Sequence, residues 1–214
     1  KHVINRKGVA EPQWHGAFWF RAENSPVDVG SIIDAAGEMV VYERADGLVG
    51  VHAGEFVEPD IRLVKTDIVS VSIDKNRSEA NTVLAVRGRY VNPDNAYNTE
   101  DAAIYGNPYA VSDDTTERTK TFSNEAINSH NHCQRKQKLT MIRTNARKVS
   151  FVASYESAKN CAYRRFVRAH YPPKLVEAII EITETPTVNL RDMTVSVSGI
   201  IVGGDLYDFD AATE

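Results

Sequence analysis

The chain has 214 residues, 42% of them hydrophobic, with 25 basic and 29 acidic side chains and a net charge of −4. That is enough for one large domain or two small ones with a real core, at a composition ordinary for a soluble globular protein. No apolar run approaches the roughly 20 residues of a membrane helix, no secretory h-region opens the chain, and Cys133 and Cys161, the only cysteines, form neither a disulfide framework nor a CxxC site.

The opening on Lys1 rather than Met is expected of a piece of a longer polypeptide or of a processed chain. Residues 15–22 read as a strand, and the neighbouring Trp14, Phe18, Trp19 and Phe20 are expected to fill core. A short helix follows. Ser25 can cap it, Pro26 takes the first helical position, Asp28 can close a capping box, and Gly37 ends it. Val29, Ile32, Ile33 and Ala36 fall on one helical stripe. Residues 38–44 and 48–53 read as a hairpin around Asp46-Gly47, and 54–60 as a loop. Residues 68–75 alternate as a strand, expected to pair with the strand that begins at Asn81. In that second strand Leu84, Val86 and Tyr90 share a face, and Arg87 and Arg89 point away from it.

Residues 92–117 are rich in turn residues and carry Tyr97, Tyr105 and Tyr109, a reasonable contact surface. After a strand over 118–122, residues 124–144 form the best long-helix candidate, opening at Ser123 or Asn124. Its apolar stripe (Ala126, Ile127, Leu139, Met141, Ile142) is thin, so it is expected to cover a sheet or ring interface rather than lie in a core. Strands are expected at 149–155, 161–169, 175–182 and 193–202. The fold class is therefore mainly β, of α+β type, as two small β-domains or barrels with a few helices packed outside. The boundaries expected are a lead-in strand or linker over 1–24, a domain with helix, hairpins and long helix over 25–145, a second β segment over 146–203, and a flexible acidic tail over 204–214.

No catalytic, cofactor-binding or metal site is expected. On a helix His130 and Cys133 share a face but His132 does not, and Asp205, Asp208 and Asp210 lack the spacing of a calcium loop. No nucleophile elbow, Walker loop, HExxH or dinucleotide fingerprint occurs. Charge is uneven: residues 130–174 hold eleven basic residues and one acid, leaving 14 basic against 28 acidic residues elsewhere. Such a division fits docking on an oppositely charged partner, with Arg164, Arg165 and Arg168 as candidates, or a solvated face. A nucleic-acid-binding module using residues 135–168 is one alternative, and a cell-wall hydrolase associated with a larger assembly is another.

Several segments in order resemble one family: Ala35-Ala36-Gly37, the hairpin to Val51-His-Ala-Gly54, Pro59, Leu63-Val-Lys-Thr-Asp-Ile68, Arg77, Asn81-x-Val83, and Arg87-Gly88-x-Tyr90-Val91-x-Pro93. Over roughly residues 25–145 they resemble the hub region of the central tail-tip proteins of long-tailed phages, the type of phage lambda's tail tip attachment protein. The resemblance implies a trimer of paired β-domains that closes the tail tube, opens for DNA in transit, and contacts the distal tail ring, the tape measure protein and other tail tip proteins. The implied location is the virion tail tip, after assembly in the host cytoplasm. The chain departs from the family's pattern in its polar long helix, in lacking a closing Gly-Asp-Val strand, and in lacking a receptor-recognition tip.

Overall fold

The computed structural model describes residues 2–5, 7–74, 82–107 and 118–210. In chain order its elements are β1 (His2–Ile4), β2 (Ala10–Pro12), α1 (Pro26–Gly37), β3 (Val40–Glu43), β4 (Val49–His52), β5 (Arg62–Val64), β6 (Ile68–Ile73), β7 (Ala85–Asn92), β8 (Asn98–Asp101), β9 (Tyr105–Gly106), β10 (Thr119–Ser123), α2 (His130–Asn145), β11 (Lys148–Ser154), α3 (Tyr155–Ala158), β12 (Phe166–Tyr171), β13 (Leu175–Ile182), β14 (Thr187–Asn189) and β15 (Thr194–Val202). The protein is mainly β with an α+β arrangement, as the alternating apolar patterns indicate.

The larger sheet runs β5-β12-β13-β15-β11-β6, and β14 pairs with β15 beside the end of β13. Its outer strands, β5 and β6, are separated in the chain only by residues 65–67. From Val64 to Ile68 so short a link spans at most about 14 Å, so the sheet must curl into a barrel-like roll that brings its two edges near each other. Asp67 pins this turn: its carboxylate accepts the Val64 N–H at 2.9 Å and the Ser157 hydroxyl at 2.8 Å, and its carbonyl accepts the Ser154 N–H at 2.8 Å. The rolled sheet encloses one apolar core to which every long strand contributes, with Leu63, Ile68, Phe151, Val167, Leu175, Ile180, Val195 and Val197 inside.

A smaller sheet has the order β10-β7-β8, with β9 also on β7; β7 runs parallel to β10. The expected pairing of the residue-81 and residue-68 strands is therefore incorrect. β7 takes β10, β8 and β9, and β6 takes β11. The face assignment in β7 holds: Val86 and Tyr90 are buried, while Arg87 and Arg89 are exposed.

α2 lies between the two sheets. Cys133 and Gln137 face β7 over Gly88, where an added Cβ would come within 2.4 Å of the Cys133 sulfur. On its other side Leu139 and Ile142 pack with Ile200 and Val202 on the outer surface of β15, and with Phe166, Leu206 and Tyr207. Burial on several sides corrects the expectation of a helix on the outside: His132, Cys133, Gln134, Arg135, Lys136, Gln137 and Leu139 are all buried. The helix also starts at His130, not at 123 or 124. The intervening residues are used as a bridge. The Asn124 side chain accepts the Ala126 N–H at 2.8 Å and donates to the Ile32 carbonyl at 3.1 Å, and the Ile127 carbonyl accepts from Val91 at 2.9 Å.

Residues 15–22 form no strand. Ala17 donates to the Ala126 carbonyl at 3.1 Å, and no ladder develops around that bond. Of the four aromatics expected in core, Trp14 and Phe18 pack against apolar clusters, while Trp19 and Phe20 are exposed. Within the segment expected to be a flexible acidic tail, Leu206 and Tyr207 are buried against α2 and β15.

Candidate functional site

The most distinctive surface is the β3–β4 hairpin, which forms a two-stranded sheet of its own. Asp46-Gly47 makes its turn, with Gly47 at φ +77° and the Asp46 carboxylate accepting the Leu48 N–H at 3.2 Å. The register pairs Val41 with Val51 and Glu43 with Val49 on one face, and Val40 with His52 and Tyr42 with Gly50 on the other. Residues opposite each other in a ladder share a face. The first face therefore presents three valines to solvent: Val41 at 50%, Val49 at 72% and Val51 at 54% exposure. On the second face Tyr42 stacks on His52 with ring centroids 4.3 Å apart, and the Tyr42 ring covers Gly50, where an added Cβ would lie 2.5 Å from its Cζ.

What holds this hairpin in place is a buried ion cluster. The chain between α1 and β3 turns at Glu38, a non-glycine residue in the left-handed region at φ 54°. The carboxylate of Glu38 is turned inward and receives Lys136, Arg143 at 2.7 Å and Arg165 at 3.4 Å. A second buried carboxylate, Glu181, receives both Arg143 at 2.9 Å and Arg165 at 3.1 Å. Arg143 also donates to the Tyr207 hydroxyl at 2.9 Å. Arg165 donates to the main-chain carbonyls of Glu38 at 2.8 Å and Ala53 at 3.1 Å, so it clamps both ends of the hairpin. Burial alone would raise the Glu38 carboxyl, but Lys136 and Arg143 outweigh it and hold it at about 2. The same cations are thus held by two acids, Glu38 in the turn between α1 and β3 and Glu181 in β13.

Other polar groups of α2 are used in the same way. Gln137 donates to the Val86 carbonyl at 3.1 Å and Arg135 pairs with Glu11 at 2.9 Å. The His132 Nε2 must carry the proton, because its partner at 2.9 Å is the Ala36 carbonyl. Burial, with Arg135 nearby, lowers His132 to about 3.

The residues expected at a docking surface are scattered by this arrangement. Arg165 is in the ion cluster and buried. Arg164 is at the surface and grips Asp60, with contacts down to 2.6 Å, and Arg168 pairs with Glu58. Tyr97 is exposed beyond β7 and Tyr105 is half-buried on β9, while Tyr109 lies outside the described residues. Four cations of the basic stretch, Arg135, Lys136, Arg143 and Arg165, are turned to the acids Glu11, Glu38 and Glu181 rather than outward. The hairpin valines, read only as strand residues in the sequence, are the surface that sequence reasoning missed. Their signal was present in Val41 and in Val49-Gly-Val51, apolar residues that the register sets on one face of the hairpin.

No known family profile and no curated protein matches the chain. Solved structures do share its fold. A chain from the virion of the native gene transfer agent particle superposes with a TM-score of 0.64 at 12% identity, covering 88% of this chain and 41% of that one. The tail protein from Neisseria meningitidis MC58 gives 0.54 at 11% identity, covering 89% and 58%. This chain thus spans less than two thirds of the length of either.

Proposed function

We propose that this chain is a structural part of a phage-type tail, and more specifically the hub of a tail tip. The observation that carries the proposal is the fold it shares, over 88% of its length, with a chain of a gene transfer agent virion, together with the tail protein fold of the second structure. The ordered motifs around Arg87-Gly88-x-Tyr90 support the hub position. In this reading the barrel, the smaller sheet and the helix wedged between them act as one block, covering the segments expected over 25–145 and 146–203. Copies of the block form a trimer that closes the tube, meets the distal tail ring and the end of the tape measure protein, and resides in the virion. The role is structural rather than catalytic. An exposed valine face on a hairpin anchored by ions suits a subunit contact, because a protein surface rim of that kind gains from being covered.

Image reconstruction of particles carrying this chain tests the proposal. Threefold density at the tail end that fits the barrel and its helix is the expected result. Density along the tube wall, or no density in the particle, would refute it.

A further inference from the structure

The hairpin carries a second feature besides its valine face: an open backbone edge. Arg44 donates to the Leu48 carbonyl at 2.8 Å, which fixes the phase of the ladder. Antiparallel pairs alternate, so Tyr42–Gly50 and Val40–His52 exchange the hydrogen bonds between the strands. The N–H and C=O groups of Val41 and Glu43 therefore point outward from β3, and among the described residues they meet no partner. An unpaired edge of this kind is a template for another strand.

This edge is the wall of a groove. Residues 40–45 line one side, and residues 162–165 and 182–186 line the other, around a cleft of about 700 Å³. That falls in the range of ligand clefts, roughly 300–1,000 Å³, and β3 is about 13 Å long at 3.3 Å per residue. The charges on the groove are unequal. Arg44 is held by Asp46, Arg164 by Asp60 and Arg165 by Glu181. Glu43 and Glu184 line the same groove and have no ion pair among the described residues. The uncompensated charge facing an incoming segment is negative.

We infer that the outer edge of β3 is a strand-addition site, and that its occupant is an extended segment of another protein in which aliphatic residues alternate with Lys or Arg. The backbone of that segment bonds Val41 and Glu43. Its aliphatic side chains extend the face of Val41, Val49 and Val51, and its cations, which alternation places on the opposite face, meet Glu184 on the far wall of the groove. The inference goes beyond the tail reading: it concerns this edge wherever in a particle the chain sits.

The test uses a fluorescent, end-blocked hexapeptide of alternating Lys and Val, titrated against the chain and followed by anisotropy. Saturable binding is expected, weakened about tenfold or more by Glu184→Lys. Val41→Pro removes an outward donor without touching the β3–β4 bonds and is expected to abolish binding while leaving the circular dichroism unchanged. A peptide N-methylated on alternate amides is expected not to bind the unmodified chain, a control that does not depend on any variant folding. Equal binding of the N-methylated peptide, undiminished binding by a folded Val41→Pro, or no saturable binding would overturn the inference. So would a concentration-dependent dimer lost in Val41→Pro, which would give the edge to a second copy of the chain instead.

Discussion

Replacing Glu38 with Gln removes one charge from the interior and changes little else, since the side chain keeps its length and the backbone keeps its left-handed turn. Arg143 and Arg165 would then keep the carboxylate of Glu181, and Lys136 would lose its acid. The size of the effect follows from the carboxyl itself. Its ordinary value of 4.5 falls to about 2 in the fold, which at about 1.4 kcal/mol per pH unit is worth roughly 3 kcal/mol to the folded state. Removing one partner of a buried pair costs about 3–5 kcal/mol on independent grounds, so the two routes agree. Because the folded value lies below the unfolded one, this contribution is complete above about pH 4.5 and disappears as the pH falls to about 2. Urea unfolding of both proteins at a series of pH values is the assay. The variant is expected to be about 3 kcal/mol less stable at pH 7, and the gap should close on acidification. His132, held neutral by burial to about pH 3, destabilises both proteins as the pH falls from 6.5, so it cancels in the difference. A gap below about 1 kcal/mol, or one that does not change with pH, would refute the reasoning.

Gly50→Val should drive the Tyr42 ring off the hairpin, since the new Cβ would start 2.5 Å from Cζ. A loss of about 1–3 kcal/mol is expected in a thermal melt, together with loss of the Tyr42–His52 ring-current shifts in the NMR spectrum. The two thiols should resist labelling. Burial pushes Cys133 up to about 12 and Cys161 up to about 11, so a thiol-specific dye at pH 8 should label neither cysteine in the native protein and both in denaturant.

The local elements were readable because their signals are local. Ser25-Pro26 and the stripe from Val29 to Ala36 mark α1, Asp46-Gly47 marks the hairpin turn, and the alternation of Val195 and Val197 with Ser196 and Ser198 marks β15. The depth of α2 was not readable. Its sequence has few apolar residues, and the partners that permit its burial come from far along the chain: Glu38 for Lys136, Glu11 for Arg135, Val86 for Gln137. Periodicity measures where grease falls on a helix and is silent on where its charges find acids. For the same reason a run of eleven cations looked like a surface when four of them were internal ligands of carboxylates. The hairpin strands were found, but their exposure was not, because two valines separated by one residue read equally well as core or as contact.

The three-residue link between β5 and β6 has a mechanical meaning. An open sheet under load peels from its end strand, one ladder at a time. Here the two end strands are tethered to each other through the Asp67 corner, so neither can be pulled away without dragging its opposite. A body built this way resists stepwise fraying and gives way all at once or not at all.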